Sequence, residues 1–334
     1  MFIDASTGSA STLRTFDRAQ SRAKVEWVDT HSHLNINAFE LDRDEVIKRC
    51  FKNNVWLINV GTNYETSKKA VEIAEKYEKG VYAAIGLHPI NIKQNQKSKI
   101  PIRPSLRALG KNQNDKSKFK NIENILEEEF SYEGYKELTK SKKVVAVGEI
   151  GLDYYWKPKT TKKKELFKQK QKELLLKELK LAEELNLPVI FHCRMAFDDL
   201  IDILQGSDPC KLNGVIHCFT GNWKMAKKFL NLGFYLGFNG IIFKLDLDEI
   251  IKKTPLDKIL IETDCPYLMP PLPAGALLAR RNFSEGGAKA GLMNGRNEPL
   301  YVKYIAERIA EIKKIRYEEI AEVTTENAKK LFNI

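Results

Sequence analysis

Eight short, apolar, β-branched runs follow one another from Val25 onward, separated by longer charged segments. They are VEWVDT, VWLINVGT, VYAAIGLHP, VVAVGEIG, LPVIFHC, GVIHCF, FYLGFNG and KILIETD. Continuous apolar runs mark strands buried on both faces, as in parallel sheets. The intervening segments DEVIKRCFKNN, ETSKKAVEIAEKY, KKKELFKQKQKELLLKELKLAEELN and WKMAKKFLNLG read as helices. The third stops just before Pro188, and the fourth ends at Gly233. Two amphipathic helices, YVKYIAERIAEIKK and YEEIAEVTTENAKKLF, close the chain. Eight strand–helix units predict an α/β fold, a (β/α)8 TIM barrel. A doubly wound open sheet is the alternative. Strands one, three, four, five, six and eight all end in polar or ionisable residues. In a barrel those ends share one mouth, whereas in an open sheet most would never meet, so the barrel is preferred.

All five histidines lie at such strand ends: His31 and His33 after the first run, then His88, His192 and His217. Glu149 in GEIGLD and Asp264 in ETDCPYL share that placement. Imidazoles and carboxylates brought to one mouth form the donor set of a divalent metal site. His31 and His33 are two apart, so a strand directs both to one side. Asp29 is expected on that side too, as an acceptor orienting a ligand imidazole. A carboxylate closing a buried run, as Glu149 and Asp264 do, is costly unless it is paired or coordinates a cation. The expected ligands are His31, His33 and Asp264 on one side and Glu149, His192 and His217 on the other. Six ligands exceed one tetrahedral ion and suit two divalent ions, with a carboxylate bridging them and a bridged water that deprotonates near neutral pH. Asp264 and Glu149 are therefore the expected catalytic residues, with Asp264 as general base and Glu262 two residues deeper as its support. His88, in GLHP, is read as a substrate or transition-state contact rather than a ligand. Arg194 follows His192 at i+2 and is read as a phosphate clamp, with a loop salt bridge as the alternative. Arg280, Arg281 and Arg296 are weaker phosphate candidates.

The chain has 334 residues, a hydrophobic fraction of 43% and a formal net charge of +11. That length buries a large core. No run of about 18 apolar residues is present, so no membrane partner is expected. The positive balance suits a polyanion such as nucleic acid. Five cysteines, irregularly spaced and without a CxxC pair, fit a reducing compartment; a cytoplasmic location is expected, with nucleus or organelle as alternatives. Residues 1–24 have no apolar core of a signal sequence and read as a disordered extension to a domain spanning 25–334. Residues 91–120, rich in Lys, Asn and Gln, read as a low-complexity insertion after the third strand. Residues 266–299 read as a long loop after the eighth.

The ordered set DTHSHLN, GLHP, GEIGLDY, FHCR, HCFTG, ETDCPYL and RNEP resembles the TatD family of metal-dependent hydrolases, within the amidohydrolase-like group. It spans Asp29 to Pro299. The resemblance implies a TIM barrel and a divalent-metal deoxyribonuclease, often a 3′–5′ exonuclease preferring single-stranded DNA. It also implies His31, His33, Glu149, His192, His217 and Asp264 as ligands and Mg²⁺ as the metal, where imidazole-rich ligation by itself suits Zn²⁺ or Mn²⁺. Two other functions are weighed. The same site could cleave an ester or amide, such as an aminoacyl ester on tRNA. Alternatively the chain could bind nucleic acid with a dead site, against which the complete ligand set argues. No obligate protein partner is indicated.

Overall fold

The computed structural model describes residues 26–92, 130–155, 158–206, 212–272 and 295–334. The extension 1–24, Arg280, Arg281, nearly all of the 91–120 insertion and most of the 266–299 loop lie outside the described residues.

Eight strands form one parallel sheet in sequential order: β1 (Trp27–Ser32), β2 (Val55–Val60), β3 (Val81–Ile85), β4 (Val144–Asp153), β5 (Val189–Arg194), β6 (Gly214–Ile216), β7 (Tyr235–Phe238) and β8 (Ile259–Ile261). Sequential order rules out the doubly wound alternative, whose order reverses at a switch point. The sheet closes where Asp264 N–H donates to His31 O at 2.8 Å and His33 N–H donates to Cys265 O at 3.0 Å. The chain folds as the expected (β/α)8 barrel.

The helices are α1 (Arg43–Lys52), α2 (Tyr64–Ala74), α3 (Tyr132–Leu138), α4 (Thr161–Leu185), α5 (Phe197–Gly206), α6 (Trp223–Asn231), α7 (Asp248–Lys253), α8 (Val302–Lys313) and α9 (Tyr317–Phe332). Local chemistry fixes their ends. The Asn63 side chain accepts from Thr66 N–H, starting α2, and Asn222 does the same for Met225 at α6. α4 stops where Asn186 turns left-handed, two residues before Pro188. No helix among the described residues is long and apolar enough to cross a membrane.

Two apolar layers result. Strand residues such as Leu57, Ile85, Phe191 and Phe238 pack outward against the helices. Val28, Ile58, Ala84, Ile190, Val215 and Leu260 form an inner cluster with Phe332 of α9. α9 crosses beneath the strand starts: Thr325 Oγ1 donates to Glu26 O, and Asn327 Nδ2 to Ile259 O. The inner layer therefore fills the floor and leaves the opposite end, where the polar strand ends lie, to the site.

Candidate metal centre

The inward alternation of the strands delivers the site. Ile190 faces the inner cluster, so His192 follows it two residues higher; Val215 leads likewise to His217, and Leu260 to Glu262. β1 and β4 break the alternation. The β1–β2 register shifts between Asp29 and Ser32, and the β4–β5 register between Gly148 and Ile150. These irregularities bring the odd-numbered His31, His33 and Glu149 to the same mouth as the others. Gly151 is part of the device: its φ is +143°, and a Cβ there would lie 2.0 Å from His192 O.

Glu149 sits at the middle of the cluster, 4% exposed. Its oxygens lie 3.5 Å from His31 Nε2, 3.5 Å from His88 Nε2, 2.7 Å from His192 Nδ1 and 3.6 Å from His217 Nε2. Asp264, held left-handed with φ +53°, lies 3.3 Å from His33 Nε2 and 3.9 Å from His31 Nε2. The two imidazoles of the HxH pair approach to 3.1 Å between their Nε2 atoms, and the His31 and His217 rings stack at 3.7 Å. The ligand atoms form three trios, each within 4.8 Å: His31, Glu149 and His217; His31, His33 and Asp264; His88, Glu149 and His192. All six expected ligands and His88 thus meet in one place. Such crowding of donors, with His31 Nδ1 left without a partner among the described residues, fits divalent cations held between them.

The surrounding groups fix which nitrogen each imidazole presents. Val60 O can only accept, so His33 Nδ1 donates to it at 2.8 Å and Nε2 faces the cluster. Glu262 Oε1 lies 2.8 Å from His217 Nδ1 and turns the other nitrogen inward. His88 differs. Its Nδ1 accepts from Ile90 N–H at 3.1 Å, so in the neutral ring the proton is on Nε2, the atom facing Glu149. His88 therefore presents a hydrogen-bond donor, where His33 and His217 turn toward the cluster the nitrogen opposite their anchor.

Burial and charge set the protonation. Burial disfavours the charged form of His192, but hydrogen bonds to Asp153 and Glu149 outweigh it and lift the pKa to about 9. Burial opposes His217 in the same way, and Glu262 overrides it, to about 10. His31 and His88 are held below the ordinary imidazole range by burial and by a neighbouring imidazole. Glu149 resists the upward push of burial because imidazoles surround it, and its carboxyl stays well below the usual range. Asp264 is lowered too, burial again being outweighed, first by the His33 hydrogen bond.

Two expectations are corrected, and one alternative, the loop salt bridge of Arg194, is not realised among the described residues. Asp29 orients no imidazole: Thr263 N–H, the Thr263 hydroxyl and His31 N–H occupy its oxygens, because the register shift takes it out of step with His31. Arg296 is not at hand for phosphate, since it is held bidentately by Asp42 at 2.8 and 2.6 Å and bonds Ala38 O. Arg194 makes no salt bridge among the described residues; its guanidinium lies 3.8 Å over the ring of Tyr155. Three supports were not anticipated. Asp153 Oδ2 lies 3.2 Å from His192 Nε2. Asn239 Nδ2 donates to Glu262 Oε1 at 3.0 Å. Glu178 of α4 accepts from Leu87 N–H and steadies the loop bearing His88. Asn239 ends the seventh run, so asking what polar residue closes each strand would have found it.

The comparisons with known proteins agree with this architecture. A family model described as "TatD related DNase" matches residues 28–333. An uncharacterized metal-dependent hydrolase of Bacillus subtilis, YabD, is 37% identical over 92% of this chain and 98% of its own length. A protein of Escherichia fergusonii described as the 3′-5′ ssDNA/RNA exonuclease TatD is 29% identical over 92% of this chain and 98% of its own length. The crystal structure of YJJV, a TatD homolog from Escherichia coli, covers 93% of this chain and 99% of its own, with 26% identity and a TM-score of 0.67.

Proposed function

This chain belongs to the TatD family of metal-dependent hydrolases, and from that premise we propose that it cleaves phosphodiester bonds of DNA as a 3′–5′ exonuclease acting on single strands. We take residues 25–334 as the hydrolase domain, with 91–120 an insertion after its third strand and 1–24 an extension before it. The observation that carries the reading is the convergence of His31, His33, Glu149, His192, His217 and Asp264 on one buried point.

In this reading those six side chains hold two divalent ions, with Mg²⁺ first and Zn²⁺ or Mn²⁺ as alternatives. Such ions supply Lewis acidity toward a phosphoryl oxygen and a lower pKa for water. The side chains do the rest. Glu149 stays ionised among the imidazoles and serves both halves of the site. The Asp264 side chain is the more exposed of the two carboxylates, 17% against 6% for the Glu149 side chain, so it can meet water and take its proton. His88 presents Nε2–H, a neutral donor suited to charge developing on a phosphoryl oxygen. Glu262 and Asp153 hold His217 and His192 in place. Arg194 on Tyr155 stands beside Asp153 and offers positive charge to the incoming backbone. The exonuclease name of the Escherichia fergusonii relative supports the polarity and the single strand.

The test is digestion of 5′-end-labelled single-stranded DNA with Mg²⁺, Mn²⁺, Zn²⁺ or EDTA. A metal-dependent ladder shortening from the 3′ end is expected. Intact DNA with every metal would shift the reading to an ester or amide substrate of the same site.

A further inference from the structure

The mouth of the barrel is electrostatically lopsided. Strands β4 and β5 stand opposite β8 and β1 in the eight-membered ring. On the β4–β5 side lie Arg194, stacked on Tyr155, and the exposed Lys159, Lys162 and Lys163 at the start of α4, whose first turn holds no acid. On the β8–β1 side a cleft of about 560 Å³ opens between the segment after β1 and helix α2. That volume is within the range of small-molecule pockets.

The lining of this cleft is unlike the opposite rim. Tyr267 forms its inner edge, with its ring 6.5 Å from that of His33, so the cleft adjoins the metal centre. Tyr267 is 43% exposed, yet its backbone is pinned: its N–H donates to Asp264 O and its carbonyl accepts from Asn297 Nδ2. Ile36 and Ala38 add apolar surface. The cleft's cations are already matched. Lys69 Nζ lies 2.6 Å from Glu40, and Lys68 Nζ lies 3.8 Å from Glu72. Asn35, 2% exposed, donates through Nδ2 to Val60 O and Thr66 O, which fixes the amide's orientation. Its Oδ1 is left without a donor among the described residues.

We propose that this cleft receives the nucleoside at the 3′ end of the strand, with its base against Tyr267, while the remaining polyanionic backbone leaves over Arg194 and the lysines of α4. The proposal rests on the exonuclease reading above. A surface with an aromatic ring carried on a pinned backbone, apolar patches and no spare positive charge suits a neutral base and sugar; it does not suit a run of phosphates. The opposite rim has the reverse character. A terminal pocket on one side of the centre and a charged track on the other define an enzyme that works from an end.

The experiment uses the full chain with Mg²⁺ and three DNA substrates: a linear single strand, the same strand ending in a 3′ abasic residue, and a covalently closed single-stranded circle. Wild-type protein is expected to degrade the linear strand, spare the circle, and show a KM about tenfold higher for release of the abasic end, the size of one lost stacking contact. Tyr267→Ala is expected to lose that discrimination through KM rather than kcat, and Tyr267→Phe to keep it. Equal KM for the two ends in the wild type, or undiminished discrimination in Tyr267→Ala, overturns the cleft assignment. The wild-type comparison stands even if the alanine variant folds poorly. Cleavage of the circle at the linear rate instead removes the exonuclease reading itself, which separates the two failures.

Discussion

The lower and upper halves of the barrel interior use the same strand positions for opposite ends. Below, Ile190, Val215 and Leu260 close against Phe332 and gain from leaving water. Two residues higher on the same strands, His217 and Glu262 are buried almost as completely, His192 less so with its side chain 17% exposed, and none of the three gains from leaving water. The lower half is a core complete in itself. The upper half is a set of charges and lone pairs awaiting cations. The alternation that builds the floor therefore also builds the site, and the two should be separable by mutation.

Asp264→Asn should separate them most sharply. It removes the proton acceptor while keeping size and hydrogen-bonding capacity. Turnover is expected to fall roughly 10²- to 10⁴-fold, with the melting temperature and DNA binding of the metal-free protein nearly unchanged. Steady-state kinetics beside a thermal melt decide it; unaltered turnover would remove Asp264 from the chemistry. The converse is Leu260→Ala, at a fully buried floor position. It should cost about 2–5 kcal/mol of stability in denaturant titration. The folded fraction should retain normal metal affinity. A joint loss of both would mean that floor and site form one unit.

How much of this division was legible in the sequence depended on whether the strands keep their alternation. The step from Ile190 to His192, or from Val215 to His217, is readable from the chain alone. The places of His31 and Glu149 follow from register shifts against β2 and β5, and register is a property of neighbouring strands. Asp29 was misassigned for this reason. The destination of Arg296 depends on Asp42, 254 positions away, which no local pattern encodes. The protonated nitrogen of His88 is set by the backbone of Ile90 in a turn visible only in three dimensions. Helices α3 and α7 are too short for a periodic signal, at seven and six residues. α5 was legible and missed, since Phe197, Leu200, Ile201 and Leu204 recur at helical spacing.

The smallest expected effect concerns pH and sharpens the claim that the upper half awaits cations. In the metal-free protein His192 and His217 titrate near 9 and 10, above the ordinary value of 6.5. A raised folded pKa gives stability that is complete below 6.5 and lost as pH climbs through 9 and 10. Glu149 and Asp264 are lowered, so their contribution is present above the ordinary carboxylate range and lost as pH falls through their folded values. Metal binding requires the imidazoles without those protons and releases them. The melting temperature of the chelated protein should therefore decline from pH 6.5 to pH 9. The increase on adding Mg²⁺ should widen over the same interval. Melts with EDTA and with Mg²⁺ across that range, and proton release in weak buffer, measure both. A chelated melting temperature that is flat with pH, joined to a constant metal-induced increase, would mean that the upper half is complete without cations and that the contrast between the halves is wrong.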